Sequence, residues 1–240
     1  MMMAVGKMDI IQLADEYGGL LSRIDTWFAR CVQLQGSNIA CRGGCSECCR
    51  SLFDITLLDG WYLRLGFDML PEEKRQRVLV KARERVADLQ VLWPDFSHPF
   101  ILNYRPEREW KALMPDDDET PCALLDDETG RCLVYEYRPM TCRLHGLPLL
   151  DLSGEVLHDE WCTMNFLAAD PLSCPDLRAD FTTAFRDEVL QFRRFTSHFL
   201  KKQFNELDTF IPAALLMNFD SFDWIGWAGS FRPVINDPVD

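Results

Sequence analysis

Eight cysteines in three short stretches constrain this fold more than any other feature of the chain. They read Cys41-Arg-Gly-Gly-Cys45-Ser-Glu-Cys48-Cys49, then Cys122, Cys132 and Cys142 at ten-residue intervals, then Cys162. A fold that unites them must bring the chain back to one place more than once. Small secreted domains use such cysteines as disulfide staples because they cannot build a core. This chain has 240 residues, 48% of them apolar and 12% aromatic. That is enough for a core without covalent staples, so the cysteines need another reason.

Compartment supplies one. The start, Met1 to Glu16, has no long apolar run before a small-residue cleavage site. No stretch approaches the roughly 18 consecutive apolar residues that read as a membrane helix. The expectation is a cytosolic chain without a membrane partner, whose thiols stay reduced or hold metal. The formal charge of −13, from 25 basic and 38 acidic residues, repels phosphates, so no nucleic-acid partner is expected. The partner the sequence argues for is a metal ion.

Hydrophobic spacing predicts a mainly α fold with a small β-hairpin, its helices packed around a cysteine-rich metal-binding core. The whole of 1–240 is read as a single domain, with the metal-binding region at 41–162. Ile10, Leu13, Tyr17, Leu20, Ile24, Trp27 and Cys31 recur at steps of three and four, predicting a helix over 9–31. Further helices are expected at 55–66, at 71–90 with Val78, Ala82, Val86 and Leu89 inward, at 176–204 and at 207–216. The long fourth helix should bury Leu177, Phe181, Phe185, Val189, Phe192, Phe195 and Phe199. Residues 92–121 read as irregular, with a solvated loop at Asp116–Glu119. The segment Cys122-Ala-Leu-Leu, Asp126-Asp-Glu-Thr-Gly130, Arg131-Cys-Leu-Val reads as the hairpin. The aromatic tail from Asn218 is expected to pack back on the core.

The cysteine stretches have the properties a metal requires. A loop must bend sharply to aim several sulfurs at one point, and Gly43 and Gly44 permit that bend. A hairpin turning near Asp127 would set Cys122 and Cys132 opposite or diagonal on one face, with Cβ atoms about 4.5–8 Å apart. Pro139 should start a short helix with Cys142 in its first turn, where a thiolate is favoured. Arg42, Arg50, Arg131 and Arg143 adjoin these cysteines and Arg138 lies close. They could offset the negative charge of a thiolate-rich site. The expected ligands are therefore Cys41, Cys45, Cys48, Cys49, Cys122, Cys132, Cys142 and Cys162. Cys31 sits on an apolar helix stripe and reads as a small core hydrophobe. Cys174, in Ser-Cys-Pro, also reads as structural. His145 follows Cys142 by three residues and reads as a packed histidine before a ligand.

The same residues resemble the YkgJ-type cysteine-cluster family. The match rests on Cys41-x3-Cys45-x2-Cys48-Cys49, on Pro121-Cys122, and on Gly130-Arg131-Cys132-Leu-Val-Tyr135-Glu136-x-Arg138-Pro139-x-Thr141-Cys142-Arg143. It spans about 41–162. The resemblance implies a domain that chelates zinc or iron through these cysteines. A related group, the flagellin lysine methylases, is associated with an iron–sulfur cluster in methyl transfer, but this chain carries no recognisable methylation module.

Two function classes follow. One is a metal-binding protein holding an iron–sulfur cluster or zinc; the other is an iron–sulfur-dependent enzyme of methyl transfer or redox type. Cys41-x3-Cys45-x2-Cys48 also has the spacing of radical S-adenosylmethionine enzymes. Glu47 stands where those place an aromatic residue, and no strand–helix alternation follows. Eight thiolates could fill two zinc sites, yet the ten-residue spacing lacks the paired short knuckles of zinc sites. That tips the reading toward iron–sulfur.

Overall fold

A computed structural model describes residues 2–115 and 117–234, with side chains from Ile10 onward. The chain opens on a long helix, α1 (Met2–Gln35). It extends beyond 9–31 on both sides and buries Leu13, Tyr17, Leu20, Ile24, Trp27 and Cys31, as the spacing predicts. A loop with the first cysteine stretch leads to β1 (Asp54–Thr56) and α2 (Leu57–Asp68). Thr56 starts α2 by accepting the Asp59 amide on its hydroxyl at 3.0 Å. Then come α3 (Glu72–Leu92), with its four expected residues inward, and a short α4 (Glu107–Lys111) within the irregular stretch.

After the second cysteine stretch, α5 (Met140–Leu144) follows Pro139. A hairpin of β2 (Leu149–Leu150) and β3 (Val156–His158) precedes α6 (Phe181–Phe199), which Asp180 caps by accepting the Thr183 amide at 3.0 Å. The chain ends through β4 (Asp208–Phe210), α7 (Ile211–Leu216) and α8 (Trp224–Ser230). β4 pairs antiparallel with β1, Ile55 opposite Thr209, closing the fold across most of its length. The tail packs back as expected: Trp224 and Phe231 are buried, and the Val234 amide donates to Asn103 O at 2.9 Å. Residues 235–240 lie outside the described residues.

The fold is mainly α with small two-stranded sheets, but the hairpin is not where the sequence places it. The segment 122–136 forms a tight turn with a single bridge, Leu125 to Cys132, and then a 3₁₀ turn at Tyr135–Tyr137. Gly130 donates to Asp126 O at 2.9 Å, and the Asp126 side chain accepts the Glu128 amide at 3.0 Å. These local bonds close the loop before a second pair of strand residues can register. Cys132 therefore pairs across the turn with Leu125, not with Cys122. The true hairpin, β2–β3, turns at Gly154 with φ +90.

Two further expectations shift. Asp118 is no solvated loop residue: it pairs with Arg85, its carboxylate nearly covered, while Asp116 lies outside the described residues. On α6, Val189 is 37% exposed and Glu188 takes its place inward. The 181-185-188-192-195-199 path is the face that follows the helical repeat.

α1 packs on α5 and α6, α3 on α7, and α2 on α7. The core has two parts. The larger lies under α1 and α6, with Cys41 and Cys174 against its edge. The smaller lies among α2, α3 and α7, with Cys122, Cys132 and Cys142 packed on it.

Candidate metal centre

The loop carrying Cys41 to Cys49 is two successive turns. Cys45 donates to Arg42 O and Cys49 to Ser46 O, both at 2.9 Å. Gly44, at φ +89, makes the bend between them. It also lets the loop approach the turn before Cys132: a Cβ on Gly130 would lie 3.2 Å from Gly44 O. The glycines bring two cysteine-bearing backbones together as well as curving one.

The next residues tie the stretches directly. Cys122 donates to Cys49 O at 2.8 Å and Ser51 donates to Thr120 O at 2.9 Å. Arg50 and Pro121 form a bridge between them. Cys142 arrives on α5, in its first turn as expected. Buried Asp59 holds that helix start, its Oδ1 accepting the Met140 amide at 3.0 Å and the Tyr17 hydroxyl at 2.7 Å. Cys162 returns last, donating to Gly146 O at 3.3 Å.

The thiols form two neighbourhoods that share Cys48. Burial first, then the nearby Cys122 and Cys132, Asp59 and Cys48, push the Cys142 thiol well above its ordinary value. Cys122 is pushed up to about 12, by burial and then by Cys132 and Cys48 against a bond from the Leu124 amide. A hydrogen bond with Cys49, then burial, raises Cys48. Around Cys41, burial raises the thiol first, a bond from Asn165 lowers it, and Cys162, Cys45 and Cys48 raise it again. All ten cysteines are free thiols. Among the described residues, no three Cys, His, Asp or Glu side chains are already grouped to hold an ion.

The donor set nonetheless suits a soft metal. Thiolates select zinc and iron–sulfur centres, and here burial and mutual repulsion penalise them unless a cation is present. The arginines divide. Arg138 eases the charge at Cys48, and Arg138 and Arg143 ease it at Cys132. Both also bind Asp25 of α1, and Arg143 donates to Glu136 O at 2.7 Å and to Arg138 O at 3.0 Å. Arg50 pairs with Glu119.

Cys31 is a core residue, its thiol donating to Asp176 O at 3.7 Å. Cys174 packs at the core's edge. The His145 ring stands edge-on to Phe53, 5.5 Å between centroids, and burial lowers its basicity. One residue at the centre escapes sequence reasoning: Asn165, buried and donating to Cys41 Sγ at 3.5 Å. In the sequence it stands in Cys162-Thr-Met-Asn165, where nothing sets it apart from other loop polar residues.

No helix among the described residues is long and apolar enough to cross a membrane. No curated protein and no solved structure gives a match. A family model, CxxCxxCC, described as "Putative zinc- or iron-chelating domain", matches residues 40–174, more than half of the chain and all eight clustered cysteines. The chain is a member of this cysteine-cluster family of zinc- or iron-chelating domains.

Proposed function

We propose that the protein, one domain over 1–240 working in the cytosol, binds metal through Cys41, Cys45, Cys48, Cys49, Cys122, Cys132, Cys142 and Cys162. The observation that carries this is the meeting of three cysteine stretches far apart in sequence, through the Cys122–Cys49 and Cys162–Gly146 backbone bonds and the Gly44–Gly130 approach. The preferred occupant is an iron–sulfur centre, with zinc the competitor. The thiols arrive from a turn pair, a bridged loop, a helix start and an extended segment, not from two short knuckles. That scattered origin supports an iron–sulfur centre, which gathers sulfurs from several directions. Zinc would more naturally use paired short-spaced ligands.

When bound, an iron–sulfur centre would supply one-electron chemistry or a Lewis-acidic iron; zinc would supply structure alone if fully thiolate-ligated. The chain's own contribution is to desolvate the thiols and offset their charge with Arg138 and Arg143. The test is an absorption spectrum of protein purified without oxygen. A broad band at about 400 nm that bleaches in air supports iron–sulfur. A colourless sample with two zinc ions per chain overturns the choice of metal and assigns the cysteines to closed zinc sites.

A further inference from the structure

The cysteine stretches need something to hold the first against the last. Cys41 and Cys162 both approach Gly146: an added Cβ there would sit 3.7 Å from Cys41 Sγ and 3.9 Å from Cys162 Cβ. Asn165, 2% exposed, meets the same point, with Nδ2 3.7 Å from it. Its amide is fully committed. Nδ2 donates to Gly146 O at 2.7 Å and to Cys41 Sγ at 3.5 Å, while Oδ1 accepts the Ala40 amide at 2.8 Å and the Cys41 thiol at 3.9 Å. The Asn165 amide itself donates to Cys162 O at 2.9 Å, and Phe166, at φ +53, donates to Asn38 O at 2.7 Å. One residue, through its side chain and its backbone amide, thus joins the segments that carry Cys41, Gly146 and Cys162.

We infer that Asn165 is a positioning residue for the proposed metal centre, setting the direction of Cys41 Sγ and stabilising its thiolate by an N–H to sulfur bond. This rests on the proposed role of Cys41 as a ligand. Two features separate this role from plain packing. First, the amide is engaged on both sides: its oxygen accepts from the Ala40 amide and the Cys41 thiol, and its nitrogen donates, so that once the thiol proton is lost only the N–H contact to sulfur remains favourable. Second, the donor points at the sulfur, where negative charge grows when metal replaces the thiol proton. A neutral packed residue would offer no such donor. Groups of this kind around metal ligands are commonly worth 10–100-fold in affinity.

The test uses the full chain, reduced and without oxygen, titrated with cobalt(II) alone and followed by the thiolate-to-cobalt absorption. Asn165→Ala should weaken cobalt binding by about tenfold or more, while circular dichroism of the metal-free protein stays that of wild type. Cys41→Ala weakens binding by itself. In the Cys41→Ala background, Asn165→Ala should add nothing, because the amide acts through that sulfur. Fully additive losses would overturn the inference and leave Asn165 as a backbone clamp. If the alanine variant fails to fold, Asn165→Asp enters the same cycle; it keeps the acceptor for Ala40 but loses the donor to sulfur, and must weaken binding only when Cys41 is present. Wild-type protein that binds no cobalt and no iron contradicts the proposed function instead, a distinct outcome.

Discussion

At the scale of single residues, charge placement decides most outcomes. Glu188 lies on the inward face of α6, beside a cavity of about 170 Å³ that Asp54, Asp59 and Asp208 also line. Burial, then the Asp59 charge, raises its carboxyl from an ordinary 4.5 to about 8. The folded protein therefore holds a proton that the unfolded chain releases between those values. Stability is fully present below the unfolded value and falls as pH rises through the folded one. Asp59, raised by burial to about 6 against the bonds it accepts, acts in the same direction over a lower window. Glu188→Gln should approach wild type at about pH 4 and be more stable at about pH 9, read as urea midpoints. Equal midpoints at both pH values would mean Glu188 reaches solvent. A cluster cysteine and a core cysteine give a second contrast. Cys45→Ala should lower bound metal, whereas Cys31→Ala should leave it unchanged and cost about 1 kcal/mol of packing. Equal metal loss in both folded variants would refute the division of the cysteines.

The residue scale also shows what the sequence could and could not display. The ligand candidates were legible because eight closely spaced thiols in a chain large enough to build its own core have few other uses. The α1 stripe was legible because seven apolar side chains share one helical repeat. Glu188 was not, because Val189 is the better hydrophobe and only the 3.6-residue geometry places its neighbour inward. Asn165 was not read, because an amide after Cys162 resembles any loop polar residue until its three partners are seen together.

Between elements, the centre depends on how α5 is held. Arg143, almost wholly buried, binds Asp25 of α1 and two backbone carbonyls. Losing one partner of such a pair leaves the other buried and uncompensated, at a cost of about 3 kcal/mol. Asp25→Ala should lower stability by that order and weaken metal binding through displacement of Cys142, measured by denaturant unfolding and metal titration. Unchanged stability would show that water replaces Asp25. A second contact joins α2 to the stretch between Cys132 and Cys142. A Cβ on Gly66 would fall 2.5 Å from the Tyr137 ring. Gly66→Ala should destabilise by about 1–3 kcal/mol as the ring is forced away, a shift readable in the urea midpoint. The expected hairpin at 122–136 failed at this scale. Alternation and a glycine suggested strands, but Asp126 satisfied the turn locally, and the cysteines met through Cys49 and Gly44 instead.

At the scale of the molecule, two core regions meet where the cysteines cluster. Cys41 lies against one and Cys122, Cys132 and Cys142 against the other. Metal binding across that junction would couple the two halves, so its free energy would be folding free energy as well. The overall class was legible in the periodicity of α1, α3 and α6. The closure by β1 and β4 was not, since two three-residue strands carry too little pattern to find each other in sequence. The central claim is that this junction is a metal centre, and elemental analysis of the protein isolated without oxygen tests it most directly. The account predicts at least one equivalent of iron or zinc per chain. Less than about one-tenth of a metal ion per chain, after reconstitution with both metals, would contradict it.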